Sequence, residues 1–416
     1  MSAGEPTAGG AGGPAPVDGP SAGQRVGGHA RGEAVRAVAS VGGPSGPGGP
    51  APALEREGPP RLRARFGPLA LPWVPLAQVP TPVEPLAARS RALGAELWVK
   101  RDDRSGALYG GNKVRKLELL LADALARGRR TVATIGAWGS HHALATAIYG
   151  AHVGLAVELA LYPQPVTPHV QEDLLLDHAF GAGLLGIPSP VLGPLAALAL
   201  ARRADRGAVI PPGGSSALGA LGYVEAGLEL AEQVAQGALP APDAVVVAAG
   251  TCGTVAGLAL GLELAGLRPL VVAVRVVPAA IANRWLIDRL RLGARRRLRD
   301  AGAALPPRRP LPVVLDPHEL GPGYGHDTPA ARAAVAAFAE DGLALETTYT
   351  GKAAAAALRW AQGPLRGKRV LFWHTCSSVD LSDRLAAVDP GALPAGLRRV
   401  VAGWRPHGSD PADPAA

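Results

Sequence analysis

A lysine precedes an amphipathic helix at the point where helix electrostatics disfavour a positive charge. Lys113 follows two glycines and Asn112 in the segment GGNKVRKLELLLADALARG, and apolar residues then recur at steps of three and four. That spacing is typical of one helix face, and the N-terminus of a helix favours anions over cations. The segment indicates either a functional amine beside a bound anion or an ordinary exposed lysine, and both interpretations stand at this point.

A second candidate is the small-residue turn in VVVAAGTCGTVAGLALG, which joins a predicted buried strand to a predicted helix. Small residues let backbone N–H groups close around a phosphate, and the helix N-terminus adds a partial positive charge. The turn lacks the dinucleotide pattern G-x-G-x-x-G, and the chain has no Walker A pattern. It predicts a phosphate site, or alternatively a tight turn without a ligand, at Gly250, Thr251, Cys252, Gly253 and Thr254.

Two further regions carry polar side chains next to helix starts. Ser140, in IGAWGSHHALATA, has a hydroxyl that can cap the following helix and can also take part in chemistry. His141 and His142 lack the spacing of a metal-binding pair, so no metal ion is expected. Tyr324 and Tyr349 lie in glycine-flanked loops before helices, where phenols can act as acids, stack on a ring or simply pack.

These loops belong to an alternation of short apolar runs and helical patterns. The predicted strands are ELWVKR, TVATIGA, AVELALY, AVVVAAG, LVVAVRVV, PVVL and RVLFWHT, and predicted helices begin near Lys113, Ser140, Ala217, Thr254, Pro329 and Lys352. Such alternation is typical of α/β proteins with a parallel sheet covered on both faces. Ligands of open α/β sheets bind at the carboxyl ends of strands, which is where the candidate residues fall.

The composition limits the classes of protein to which this chain can belong. Residues 1–60 are rich in Gly, Pro and Ala and are expected to be a disordered extension without a secretory signal, and residues 401–416 a disordered tail. The net charge of +8 comes from scattered basic residues, so no nucleic acid is expected, and the apolar segment 245–267 is too interrupted for a membrane span. Two cysteines indicate a reducing, cytoplasmic compartment.

Seven segments together resemble a known enzyme family. They are LWVKRDD…GGNKVRKLE, G-A-x-x-S-x-H, PPGGSSALGALGYVEAGLEL, AAGTCGTVAGL, GPGYG, YTGKA and VLFWHT, and the match around them runs from about Leu71 to about Leu381. In order and spacing they are similar to the 1-aminocyclopropane-1-carboxylate (ACC) deaminase and D-cysteine desulfhydrase family. The resemblance implies pyridoxal 5'-phosphate and the tryptophan synthase β-like fold (fold type II), with two open twisted parallel-rich sheets flanked by helices. It also implies a large domain at 61–115 and 211–400, a small domain at 116–210, and a homodimer.

The resemblance also assigns roles to the candidate residues. Lys113 matches the Schiff-base lysine, Asn112 its neighbour, and residues 250–254 the phosphate loop. Ser140 matches a serine that contacts the substrate carboxylate or relays a proton. Tyr324 and Tyr349 match two tyrosines on the substrate side. Thr375 matches a position where a hydroxyl can face the pyridine nitrogen.

Several positions depart from the family pattern. Thr350 stands where the deaminase branch has a glutamate near the pyridine nitrogen, as in the desulfhydrase branch, which favours expulsion of a β-leaving group. His141 replaces an asparagine that bonds the cofactor 3'-oxygen, and its imidazole can titrate near neutrality. Cys376 and Ser377 replace two glycines. We therefore expect α,β-elimination on a small amino acid such as D-cysteine; the alternatives are ACC deamination, a related sulfo-lyase or racemase reaction, and a weakened cofactor-binding paralogue.

Overall fold

The computed structural model describes residues 51–405, in which strands and helices alternate along the chain. The strands are β1 Val83–Pro85, β2 Glu96–Arg101, β3 Thr131–Ala137, β4 Ala156–Tyr162, β5 Gly183–Gly186, β6 Gly207–Val209, β7 Ala244–Ala249, β8 Leu270–Arg275, β9 Val313–Asp316 and β10 Arg369–His374. The helices are α1 Pro60–Phe66, α2 Ala87–Leu93, α3 Asn112–Ala126, α4 His141–His152, α5 Pro168–Ala179, α6 Gly193–Arg203, α7 Leu221–Ala235, α8 Gly253–Ala265, α9 Arg284–Asp300, α10 Pro329–Ala339, α11 Thr350–Gln362, α12 Ser382–Ala386 and α13 Ala395–Arg398.

The larger sheet has six strands in the order β1-β2-β10-β7-β8-β9. Only β1 is antiparallel to its neighbour, and β10 lies between β2 and β7, in register Leu371 to Trp98 and Val245. Helices α7, α8 and α9 pack on one face, and α10 and α11 on the other. Because both faces are covered, β7 and β10 read as continuous apolar runs rather than as an alternation.

The smaller sheet has four parallel strands in the order β5-β4-β3-β6. Helices α4 and α5 pack on one face of this sheet, with Ile148 and Leu174 in the shared core. Helix α6 covers the other face, where Ala197 and Ala201 meet Ala133 of β3. The small side chains allow the helix to approach the sheet closely.

The expected α/β architecture with two largely parallel sheets is what the structure has. All seven predicted strands are present, and TVATIGA and AVELALY coincide with β3 and β4. The sequence analysis did not identify β1, β5 and β6, which are three or four residues long and partly exposed. Such strands lack the apolar run or the alternation that would distinguish them from loops.

The two ends of the described chain differ from the expected boundaries. Glu55 and Glu57 form bridges with Trp73 and Leu71, so the packed chain begins before residue 61. At the other end, Leu397 of α13 joins the apolar cluster of α4 and α5, next to the smaller sheet, although this segment was expected in the large domain. Residues 1–50 and 406–416 of the predicted extension and tail lie outside the described residues. Among residues 51–405, no helix is long and apolar enough to cross a membrane.

Candidate active site

A cavity of about 320 Å³ lies at the carboxyl ends of β3, β7 and β10, where both sheets contribute loops. Its position matches the rule for ligand sites in open α/β sheets. The structure brings all of the sequence-predicted site residues to its walls, although they come from separate parts of the chain: Asn112, Lys113, Ser140, His141, Gly250, Thr251, Cys252, Gly253, Thr254, Tyr324, Tyr349 and Thr375.

Lys113 is the second residue of α3, and its amine faces this cavity. Nζ donates a hydrogen bond to Oδ1 of Asn112 at 2.6 Å and lies 5.8 Å from the ring centroid of Tyr349. Burial lowers the pKa of Lys113 from 10.5 to about 8, because a poorly solvated ammonium is disfavoured. A substantial fraction of the amine is therefore neutral and nucleophilic near physiological pH.

Hydrogen bonds to the loops that follow β10 and β7 hold the start of α3 in place. The backbone N–H of Asn112 donates to the carbonyl of Thr375 at 3.1 Å, and its Nδ2 donates to Oγ1 of Thr254 at 3.0 Å. Gly111 has φ +85°, and a Cβ there would lie 2.7 Å from the Thr375 carbonyl oxygen. Position 111 therefore requires glycine for two reasons, which are its positive φ and the close approach of the loop that follows β10.

A buried ion network fixes the same helix one turn further on. The guanidinium of Arg115 contacts Asp102 at 2.8 Å and Glu229 at 2.9 Å, and Glu229 also contacts Lys100 at 2.6 Å. All four side chains are essentially buried. The network joins α3 to the end of β2 and to α7, so the position of Lys113 depends on the larger sheet and its covering helix.

The loop at residues 250–254 forms a cradle at the N-terminus of α8. Cys252 takes a left-handed conformation with φ +65°, and the N–H of Gly253 donates to Oγ of Ser215 at 3.1 Å. A Cβ on Gly253 would lie 2.5 Å from that oxygen. Lys116 reaches the same side of the cavity, where its Nζ donates to the carbonyl of Gly213 at 3.0 Å. Free helix N–H groups, small residues and a nearby amine suit a phosphate group.

The two tyrosines form one wall. The hydroxyl of Tyr349 donates to the hydroxyl of Tyr324 at 2.9 Å, and their rings meet edge to face. Burial raises the pKa of Tyr349, so its phenol stays protonated at neutral pH. Ser140 also lines the cavity, and its hydroxyl accepts a hydrogen bond from the N–H of Ala143 at 3.3 Å, so it caps α4 as well.

The surroundings and the pKa of His141 differ from what the sequence predicted. Its Nε2 lies 2.6 Å from Nε2 of His169, and its Nδ1 lies 3.9 Å from Sγ of Cys376. Burial lowers the pKa of His141 to about 4. The prediction that this imidazole titrates near neutrality was therefore wrong, because the sequence does not reveal how completely the side chain is desolvated.

Thr350, which stands where the deaminase branch has a glutamate near the pyridine nitrogen, is not among the residues that line the cavity. Its hydroxyl donates to Oε1 of Glu346 at 3.0 Å, and Glu346 accepts the backbone N–H groups of Tyr349 and Thr350. Glu346 itself lines the cavity. It was not predicted from the sequence, although a carboxylate just before a helix start is a recognisable capping signal. Lys116, His142 and Gly213 also line the cavity and were not predicted, whereas Cys376 was expected near the cofactor.

Comparisons with known proteins agree on one family. A family profile described as pyridoxal-phosphate dependent enzyme matches residues 74–375. A D-cysteine desulfhydrase from Klebsiella pneumoniae subsp. pneumoniae is 36% identical over 303 residues, which cover 68% of this chain and 87% of that protein. A crystal structure described as an ACC deaminase homologue is 31% identical with a TM-score of 0.65, covering 79% of this chain and 99% of its own. Threonine deaminase isoform 2 from Solanum lycopersicum, 16% identical with a TM-score of 0.54 over 75% of this chain and 83% of its own, shares the fold.

The chain belongs to the family of pyridoxal-phosphate dependent enzymes. Within that family it is similar to the D-cysteine desulfhydrases and to the ACC deaminase homologue. The predicted enzyme class, cofactor and tryptophan synthase β-like fold are confirmed. The residues present also fit the cofactor, because a buried amine of lowered pKa and a cradle that a Cβ on Gly253 would fill line one cavity.

Proposed function

We propose that this protein catalyses α,β-elimination on D-cysteine, giving pyruvate, ammonia and sulfide. The observation that carries the proposal is the amine of Lys113, which lies in one cavity with a phosphate cradle and a phenol pair. Pyridoxal phosphate, when bound, supplies an electron sink for a carbanion at the substrate Cα. Similarity to D-cysteine desulfhydrases at 36% identity supports the choice of substrate.

The chain's own residues divide the remaining tasks. Residues 250–254 and Lys116 would hold the phosphate, and the amine of Lys113 would hold the cofactor and take up the Cα proton of the substrate. Ser140, at the N-terminus of α4, binds the substrate carboxylate, since free helix N–H groups favour an anion there. Thr375, which lines the cavity, would offer a neutral hydroxyl to the pyridine nitrogen, which would leave that nitrogen largely unprotonated and favour departure of the β-substituent.

The phenol pair suits the departing group. Tyr349 remains protonated, so its hydroxyl can donate its one proton to a leaving thiolate once it turns away from Tyr324, which otherwise accepts its hydrogen bond. His141 lies beside the ring of Tyr349 and is neutral, so it can donate one hydrogen bond to the cofactor 3'-oxygen.

ACC deamination is the second candidate. The carboxylate of Glu346 lines the cavity, so a negative charge lies near the cofactor site despite the threonine at position 350. The similarity to an ACC deaminase homologue supports the same alternative.

Product analysis with purified holoenzyme separates the candidates. We expect pyruvate and sulfide from D-cysteine to form faster than 2-oxobutanoate from ACC and faster than pyruvate from L-cysteine. A faster 2-oxobutanoate signal would assign the protein to deamination. Recovery of D-cysteine as its enantiomer would indicate a racemase, and absence of all products would indicate a paralogue without turnover.

We further propose that the protein is a cytoplasmic homodimer. Its large domain comprises residues 61–115 and 211–381, and its small domain comprises residues 116–210. The segment 382–405 packs with the small domain. Leu195 on α6 and Val191 before it are exposed apolar residues, which supports self-association. Cys252 and Cys376 are free, which supports a reducing compartment. Size-exclusion chromatography with light scattering tests the oligomeric state.

A further inference from the structure

Three side chains that can bind a metal converge beside the cofactor cavity. They are His141 at the start of α4 and His169 and Asp173 on α5, and their ligand atoms lie close to one another. His169 and Asp173 are four residues apart, so they project from the same face of α5. His142, the sequence neighbour of His141, lies outside this group, because its ring contacts Thr134 and the N–H of Gly214.

The separations of the ligand atoms suit a tetrahedral ion. Nε2 of His141 and Nε2 of His169 lie 2.6 Å apart, and they lie 3.8 Å and 3.6 Å from Oδ2 of Asp173. Tetrahedral Zn²⁺ with bonds of about 2.0–2.1 Å places its ligand atoms about 3.3 Å apart. The observed separations bracket that distance, so small rotations of the side chains give the geometry.

Asp173 supplies an independent indication of a ligand. Its side chain is 3% exposed, and Oδ2 has no hydrogen-bond partner within the described residues. A buried carboxylate oxygen without a partner is costly, and a cation between Asp173 and the two imidazoles removes that cost. Donation between the two histidines satisfies only the imidazoles, which lie 3.8 Å and 3.6 Å from this oxygen, and leaves it without a hydrogen bond in the described part of the chain.

The same place is accessible to an ion and adjoins the reaction cavity. The His169 side chain is 44% exposed, and both histidines line a neighbouring cavity of about 550 Å³. His141 also lines the cofactor cavity. Three protein ligands leave a fourth position for water or for a substrate group, as in catalytic zinc sites.

We propose that His141, His169 and Asp173 form a site for a divalent transition metal of the Zn²⁺ class at the mouth of the cofactor cavity. Two imidazole nitrogens with one carboxylate oxygen are ligands that Zn²⁺ accepts readily. The proposal concerns metal binding alone and does not depend on which amino acid the enzyme converts.

Isothermal titration of the holoenzyme, prepared without a histidine tag and stripped with a chelator, with zinc chloride tests the site. We expect one ion per chain, with affinity weakened about 100-fold or more in His169→Ala and in Asp173→Asn. His178→Ala, a histidine substitution on the same helix outside the group, should bind zinc as the parent does. Co²⁺ should give visible absorption bands beyond the cofactor's own absorption, and the His169→Ala variant should lose them.

Two outcomes overturn the proposal. If the parent protein retains no stoichiometric zinc by titration and elemental analysis, the site is excluded. If His169→Ala binds zinc as tightly as the parent, the ion lies elsewhere. His169 is partly exposed, so this variant keeps the test decisive even if Asp173→Asn fails to fold.

Discussion

The hydroxyl of Tyr349 donates a hydrogen bond of 2.9 Å to the hydroxyl of Tyr324, and the ring of Tyr349 lies 5.8 Å from the amine of Lys113. The two phenols are therefore not equivalent. Tyr349 faces the reacting amine, whereas Tyr324 acts on it through a hydrogen bond.

Substituting each phenol should separate these roles. Tyr349→Phe should lower kcat about 100-fold or more, since it removes a proton-transfer group. Tyr324→Phe removes one hydrogen bond and should lower kcat only about fivefold, the equivalent of about 1 kcal/mol. Steady-state rates of pyruvate formation measure both. A larger loss in Tyr324→Phe would reverse the assignment.

The pKa of Lys113 predicts how cofactor attachment depends on pH. Below about 8 the amine is mostly protonated and cannot attack an aldehyde, and above about 8 it is mostly neutral. The rate at which apoprotein forms the borohydride-trappable link to pyridoxal phosphate should therefore rise with pH and level off above 8. Peptide mapping should place the label on Lys113, and a midpoint near 10.5 or a label on Lys116 would contradict this prediction.

The cradle predicts a specific intolerance of larger residues. A Cβ at position 253 would lie 2.5 Å from Oγ and 3.1 Å from Cα of Ser215, so the loop must move. Gly253→Ala should weaken the affinity for pyridoxal phosphate at least tenfold, as measured by fluorescence titration of apoprotein. Gly396→Ala is the matched control, because a Cβ there meets nothing within 4 Å. Equal affinity in both variants would place the phosphate elsewhere.

The ion network beneath Lys113 predicts a large stability effect. Glu229→Ala leaves Arg115 and Lys100 without this partner and should lower the free energy of unfolding by about 3–5 kcal/mol. Glu232→Ala, on the same helix with a half-exposed carboxylate, should cost about 1 kcal/mol or less. Urea denaturation measures the free energy of unfolding of both variants. Similar losses in the two would show that the ion network does not hold α3 in place.

The same network has a defined pH dependence. Arg115 and Lys100 hold the pKa of Glu229 below its usual 4.5 despite burial. The folded pKa is thus lower than the unfolded pKa, so this contribution to stability is present above about pH 4.5 and is lost as pH falls through the folded value. The difference in stability between the parent and Glu229→Ala should therefore shrink in acid.

Apolar runs and small residues within short stretches of sequence predicted the long buried strands and helices and the residues at their ends. The apolar run of β7 followed by small residues identified the cradle, and the glycines before Lys113 identified the amine. Each signal lies within a few residues of the chain, so it can be read without knowing the fold.

Contacts between distant segments could not be read in the same way. His169 and Asp173 meet His141 only because α5 packs against α4, and no spacing along the chain relates them. The lowered pKa of His141 likewise reflects burial by several elements. Glu346 lies three residues before Tyr349 in sequence, but its place on the cavity wall depends on the turn that it caps.

The position of β10 bears on how the protein is made. This strand lies between β2 and β7, yet it is translated long after both. While the ribosome extends the chain, β2 and β7 each keep an open edge on the side that β10 later fills, and such edges invite pairing with other chains. The loop that receives the N–H of Asn112 follows β10 directly. A nascent chain therefore cannot complete its cofactor pocket until β10 and the loop after it have left the ribosome.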